Sequence, residues 1–163
     1  MRLQTTLPLA TANTIILEAV RLGRQEDMLP LTVVALDAGG KLIAMQCEDG
    51  SGILRFDVAF GKAWGALGMG ISSRLIRDRL AKRPVFQTAL AAASDGRLIP
   101  VPGGVLVRDG DGFTIGAVGI SGDTSEKDEY CGIMGIRAAG LTSEPAEPDP
   151  DWKGSSLTDY YPG

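Results

Sequence analysis

A chain of 163 residues with 44% hydrophobic side chains and a mean hydropathy of +0.09 buries one core but not two ordinary domains. Its net charge is −4, and its 16 Lys and Arg are scattered along the sequence, which argues against nucleic acid or an anionic membrane as partner. It has no histidine, so Ser-His-Asp triads, Cys-His dyads and imidazole ligation of zinc or haem are excluded.

Residues 1–9 hold one Arg and no apolar h-region, and no run approaches the roughly 18 apolar residues of a membrane span, which reads as cytoplasmic. Residues 11–27 place Ala12, Ile15, Ile16, Ala19, Val20 and Leu22 near helical spacing, an amphipathic first helix with Pro8 near its start. A β-branched run over 31–36, a turn at Asp37-Ala38-Gly39-Gly40 and a second run over 41–47 predict an antiparallel hairpin. Over 56–69, Phe56, Ala59, Phe60, Ala63, Trp64 and Leu67 define a second helix. Its Gly61, Gly65, Ala66 and Gly68 leave a small surface that something packs against closely.

Ser72 or Ser73 caps a charged segment over 74–83 that Pro84 stops, and a short helix follows over 85–94. The Gly103-Gly104 pair opens an apolar run to Arg108. Asp109-Gly110-Asp111-Gly112 then reverses the chain into a run ending Gly119-Ile120-Ser121-Gly122, a second hairpin. A last helix starts near Ser125 and ends at Leu141 with Gly140 as its cap. Residues 1–141 thus form one domain. Residues 142–163, with four of the nine prolines, read as an extended tail whose Trp152, Tyr160 and Tyr161 lie across its own or a neighbouring subunit. Two hairpins among helices make the fold class α+β.

Among candidate sites, the series Gly116-x-x-Gly119-x-x-Gly122 has the wrong spacing for a dinucleotide loop, and the acidic residues after it would repel a pyrophosphate. Asp123, Glu126, Asp128 and Glu129 read as partners of the helix dipole rather than as metal ligands, so no metal is expected. Cys47 and Cys131 read as free thiols. Met45, Phe60, Trp64 and Met69 read as core side chains. Lys62 stands on an otherwise small, apolar helix, one heptad after Arg55. Either it snorkels to solvent, or it enters a pocket and, with Arg55, pairs an anionic ligand. Gly103, Gly104, Gly119, Ser121 and Gly122 complete the expected pocket, since glycine lets backbone approach a ligand. On that reading Gly104→Val blocks the ligand and leaves the fold intact.

Four stretches occur in one order: Val34-Ala35-Leu36-Asp37-Ala38-Gly39-Gly40-Lys41-Leu42, Asp57-Val58-Ala59-Phe60-Gly61-Lys62-Ala63-Trp64, Pro102-Gly103-Gly104-Val105 and Gly116-Ala117-Val118-Gly119-Ile120-Ser121-Gly122. Together they resemble the GlcG/HbpS-like family, which includes the C-terminal domain of PduO-type proteins, over about residues 9–141. The resemblance implies a profilin-like α/β/α sandwich around a five-stranded antiparallel sheet, homo-oligomeric assembly, and a link to haem or another tetrapyrrole. Without histidine, axial ligation would fall to Met, Cys, Tyr, Lys or a hydroxyl. Two functional classes stay open. One is a small-ligand-binding protein holding an aromatic or tetrapyrrole anion between the second helix and the glycine hairpin. The other is an enzyme on that scaffold acting on a small organic acid, with Lys62 as acid/base or electrostatic group and backbone N–H near Gly103 and Gly104 stabilising an oxyanion. A third reading is an assembly module clasped by its tail.

Overall fold

The computed structural model describes residues 3–157; Tyr160 and Tyr161 lie outside the described residues. Chain order is α1 (Leu9–Gln25), β1 (Thr32–Asp37), β2 (Leu42–Cys47), α2 (Arg55–Met69), α3 (Ser73–Leu80), α4 (Pro84–Ala93), β3 (Gly104–Arg108), β4 (Thr114–Ser121), α5 (Ser125–Ala138) and β5 (Thr142–Glu144), then a 3-10 turn over Trp152–Gly154. The sheet is antiparallel in the order β2-β1-β4-β3-β5.

Alternation along the central strands splits the core in two. Val33, Ala35, Val105, Val107, Val118 and Ile120 point to the face covered by α1 and α5. Val34, Leu36, Leu106 and Ala117 point to α2, where Ala59, Ala63 and Ala66 meet them. Strands buried on both faces read as the continuous apolar runs seen in the sequence. The result is an α/β/α sandwich with five strands.

The fifth strand comes from the segment read as tail. β5 pairs with β3 through Leu106↔Glu144, Val107↔Ser143 and Arg108↔Thr142, so a boundary at Leu141 separates a strand from the sheet that it completes. Three polar residues have no strand signature of their own; an open edge at β3 recruits them. The chain then crosses α3 and α5. Ser72 donates its backbone N–H and hydroxyl to the Glu144 carboxylate, Arg74 Nη2 donates to the Glu147 carbonyl at 2.7 Å, and Trp152 stacks on Tyr130 at 3.7 Å. Residues 142–157 therefore lie on their own chain. α5 stops at Ala138, earlier than Leu141, and Gly140 at φ +74° caps it, with Leu141 N–H closing onto the Ile136 carbonyl.

The glycines serve this packing. A Cβ on Gly119 would stand 1.9 Å from the Ala59 carbonyl oxygen, and one on Gly104 2.2 Å from the Lys62 carbonyl oxygen. On α2 itself, a Cβ on Gly61 would meet the Arg97 carbonyl at 2.3 Å, where the connection to β3 crosses the helix. Helix and sheet thus touch backbone to backbone, and the space left by the missing side chains is filled by protein. Gly104→Val is accordingly a folding lesion, because its first carbon meets backbone that has nowhere to go. Gly119→Ala alone should cost about 3 kcal/mol or more of unfolding free energy, as for overpacking that no rotamer relieves, and urea titration followed by circular dichroism measures it.

Candidate functional site

Lys62 lies on the face of α2 that packs on the sheet, and it is 2% exposed. Its stem does not snorkel outward. It crosses the end of the β3–β4 pair, where Gly103, at φ +114°, leaves room: a Cβ there would stand 2.9 Å from Nζ and 3.1 Å from the lysine Cδ. The ammonium emerges on the other layer. There it donates to the Ile120 carbonyl at 2.8 Å and to Asp128 Oδ2, on α5, at 2.9 Å.

Asp128 is 1% exposed, and its Oδ1 accepts the Asp123 backbone N–H at 3.1 Å. Burial pushes its carboxyl above the ordinary carboxylate range, against the downward pull of Lys62, that backbone N–H and Arg55. Arg55, at the start of α2, donates through Nη1 to Ser121 Oγ at 3.2 Å. The fold therefore brings Arg55, Lys62, Gly103 and Ser121 into one cluster around Asp128. Gly104 and Gly119 lie under α2, and Gly122 packs against the Pro30 carbonyl, where a Cβ would stand at 2.5 Å. Between α2 and the glycine hairpin the contact is close packing, and Lys62 is committed to two oxygens of its own chain.

The space near this cluster lies on the outer side of Gly103. A cleft of about 320 Å³ is lined by Arg77 of α3, Pro102, Thr124, Ser125 and Glu126 at the start of α5, and Ser155, Ser156 and Leu157 after the 3-10 turn. Thr124 caps α5, its Oγ1 accepting the Lys127 N–H at 3.4 Å, and its hydroxyl shares a hydrogen bond with Ser155 Oγ. Arg77 crosses the mouth from α3, with Nε 2.9 Å from Asp78 Oδ1 and Nη1 3.4 Å from Glu126 Oε1. The ion pair does not line this cleft but is joined to its lining: Gly103 follows Pro102 directly, and the Asp128 N–H donates to the Thr124 carbonyl at 2.9 Å.

A second carboxylate lies deeper in the same helix. Glu129 is fully buried, with Arg74 Nε 3.1 Å from Oε2, yet neither oxygen has a well-formed hydrogen bond among the described residues. Burial pushes its carboxyl up to about 7, against the pull of Arg74 and Arg77. Asp128 and Glu129 are thus interior groups rather than solvated dipole partners. Asp123 takes backbone N–H groups from Leu29 and Thr124 and pairs with Lys127, and Glu126 pairs with Arg77. Cys47 is an exposed free thiol and Cys131 a buried one, its thiol held protonated by burial.

With that geometry in view, the relatives can be placed. Residues 7–137 match the family described as haem-degrading protein HbpS-like. The chain belongs to the HbpS-like family. An uncharacterized 15.0 kDa protein from the dhaT-dhaS intergenic region of Citrobacter freundii is 30% identical over 123 residues, covering 76% of this chain and 84% of that protein. Among solved structures, a PduOC:heme complex is 24% identical with a TM-score of 0.76, covering 85% of this chain and 98% of its own. Klebsiella pneumoniae protein ORFY is 25% identical with a TM-score of 0.73, covering 86% of this chain and 94% of its own. A double mutant of Streptomyces reticuli HbpS, 21% identical, has a TM-score of 0.67, covering 85% of this chain and 88% of its own. These three solved structures share the sandwich. Among the described residues, no helix is long and apolar enough to cross a membrane.

Asp128, Glu129, Arg74, Arg77 and Pro102 are absent from the site read in the sequence. A signal for Asp128 was present. It lies three and four residues before Cys131 and Gly132 on the buried face of α5, as Lys62 lies on the buried face of α2. Two opposite charges on two apolar faces call for each other.

Two outcomes follow. Lys62→Met leaves Asp128 buried without its cation and should cost about 3–5 kcal/mol, while Lys62→Met combined with Asp128→Leu should recover much of that loss, both read by urea unfolding. Glu129 holds its proton more tightly in the folded chain, at about 7 against an ordinary 4.5. Stability from this group is therefore full below pH 4.5, falls as pH rises to about 7 and is flat above, by about 3 kcal/mol at most. Glu129→Gln should flatten that slope and leave the variant more stable than wild type at pH 8, as thermal unfolding across pH will tell.

Proposed function

We propose that this HbpS-like protein binds a small organic acid in the cleft between α3, Pro102 and the start of α5. The observation that carries the reading is convergence: the Arg77 guanidinium, the first turn of α5 and the hydroxyls of Thr124, Ser125 and Ser155 all border one space of about 320 Å³. Helix start and guanidinium favour a carboxylate, because the acidic side chains of this helix start are each paired with a cation of the chain: Asp123 with Lys127, Glu126 with Arg77, Asp128 with Lys62 and Glu129 with Arg74. Glu126, 3.4 Å from Arg77, offers an acceptor for a neighbouring hydroxyl, so a hydroxy acid suits the lining better than a simple anion. Lys62 and Asp128 hold that lining in place in this reading; the enzymatic alternative, with Lys62 as acid or base, requires it to leave both partners.

The family description and the heme in the PduOC structure support a haem-related ligand. Among the described residues, the lining offers iron only oxygen, from the hydroxyls of Thr124, Ser125, Ser155 and Ser156 and the Arg77-paired carboxylate of Glu126, and no histidine, cysteine, methionine, tyrosine or lysine, which is a poor fit to an iron-ligated haem. Its volume is near the lower end for drug-sized ligands. A tetrapyrrole would meet this cleft through its propionates.

Calorimetric titration with glycolate, lactate and, separately, haemin tests the proposal. The expected result is saturable binding of a hydroxy acid that weakens at least about tenfold in Arg77→Ala, the share of one charge-assisted hydrogen bond, and is unchanged in Arg79→Ala. A tight stoichiometric haemin complex with no heat from any carboxylate would overturn it.

A further inference from the structure

α4 is ten residues long, reads Pro-Val-Phe-Gln-Thr-Ala-Leu-Ala-Ala-Ala, and has no buried residue. It carries no charged side chain, and Val85 is 84% exposed. A helix of this length gains little from propensity alone, and an apolar one holds its place by being covered. Its flanking charges are also inverted. Lys82 and Arg83 stand at its N-terminal end and Asp95 just past its C-terminal end, each beside the dipole pole that it is repelled by.

Both features resolve if a second copy of α4 lies antiparallel on the first. Lys82 and Arg83 of one chain then sit at the partner helix's C-terminal pole beside its Asp95, where cations are favourable. The same arrangement fills a hole. At the C-terminal half of α4, Trp64, Gly65, Gly68, Met69, Leu90 and Ala93 line a mostly apolar groove of about 150 Å³. At the N-terminal half, Val85 projects into solvent beside Phe86, which is 38% exposed and has the Arg83 guanidinium 4.7 Å from its ring centre. Knob and groove lie at opposite ends of one helix about 15 Å long, so a two-fold axis near Ala89 sets each knob in the other chain's groove. Ala89, Ala92 and Ala93 let the helices approach closely. We propose that α4 is a self-association surface on which a second copy of this chain docks in antiparallel register.

The test is sedimentation equilibrium of the full chain from 1 to 200 μM, with charge reversal as the specific probe. Wild type is expected above the 17.1 kDa of one chain. Val85→Asp should weaken association at least tenfold, with its far-ultraviolet dichroism unchanged. Asp95→Lys alone, and Lys82→Glu with Arg83→Glu, should each weaken it. Combining all three substitutions should restore it, which a merely misfolded helix would not do. In a Cys47→Ser background, Ala89→Cys should give a disulfide-linked dimer on mild oxidation. A monomeric wild type, association indifferent to Val85→Asp, or co-sedimentation of α4-dependent protein with phosphatidylserine vesicles in place of self-association would each overturn the proposal.

Discussion

The ion pair of Lys62 with Asp128 ties α2 directly to α5 across the end of the sheet between them. Each charge is almost fully buried, and each would be costly alone. Their meeting requires a gap in the sheet's end, and Gly103 supplies it with a backbone conformation that a side chain would strain. Once the pair is set, α2 and α5 have a fixed relation, and with it the start of α5 has a fixed relation to Pro102. That relation shapes the cleft.

The glycine-rich character of the chain has the same origin. α2 lies so near β3 and β4 that carbonyls of Ala59 and Lys62 occupy the positions where Cβ atoms of Gly119 and Gly104 would be. Close approach shortens the path that the Lys62 stem must cover to reach the far layer. It also leaves Phe56, Phe60, Trp64 and Leu67 only partly buried along α2, packed against the second core rather than around a ligand. Ser73 completes the arrangement from α3: its hydroxyl accepts the Gly104 N–H at 2.7 Å, fixing where β3 begins.

Burial of Asp128 and Glu129 side by side in α5 concentrates two carboxylates in an interior that supplies one complete partner set. Asp128 has its ammonium and a backbone N–H; Glu129 has an arginine at contact distance and no well-formed hydrogen bond among the described residues. Burial raises both carboxyls above the ordinary range, and Arg74, beside Glu129, also donates to the Glu147 carbonyl of the strap over 144–150. Family membership and fold agree with a ligand-related role, while the donor set of this chain distinguishes it from any member that ligates iron through imidazole.

Local pattern determined the helices and hairpins. Apolar spacing in α1 and α2, Asp-Gly turns between paired runs, and Pro84 after a charged segment are short-range signals, and each produced its element within a few residues. The same reading identified Lys62, Arg55, Gly103 and Ser121 as unusual, because charge on an apolar face and glycine at a strand start are visible in one dimension. Tertiary structure alone decided what they meet. That the glycine gap takes the Lys62 stem, that Asp128 is its partner 66 residues away, and that residues 142–144 become a strand all depend on surfaces assembled from distant segments. Close packing admits one occupant to each space, and a sequence lists the candidates for that space without the distances that choose among them.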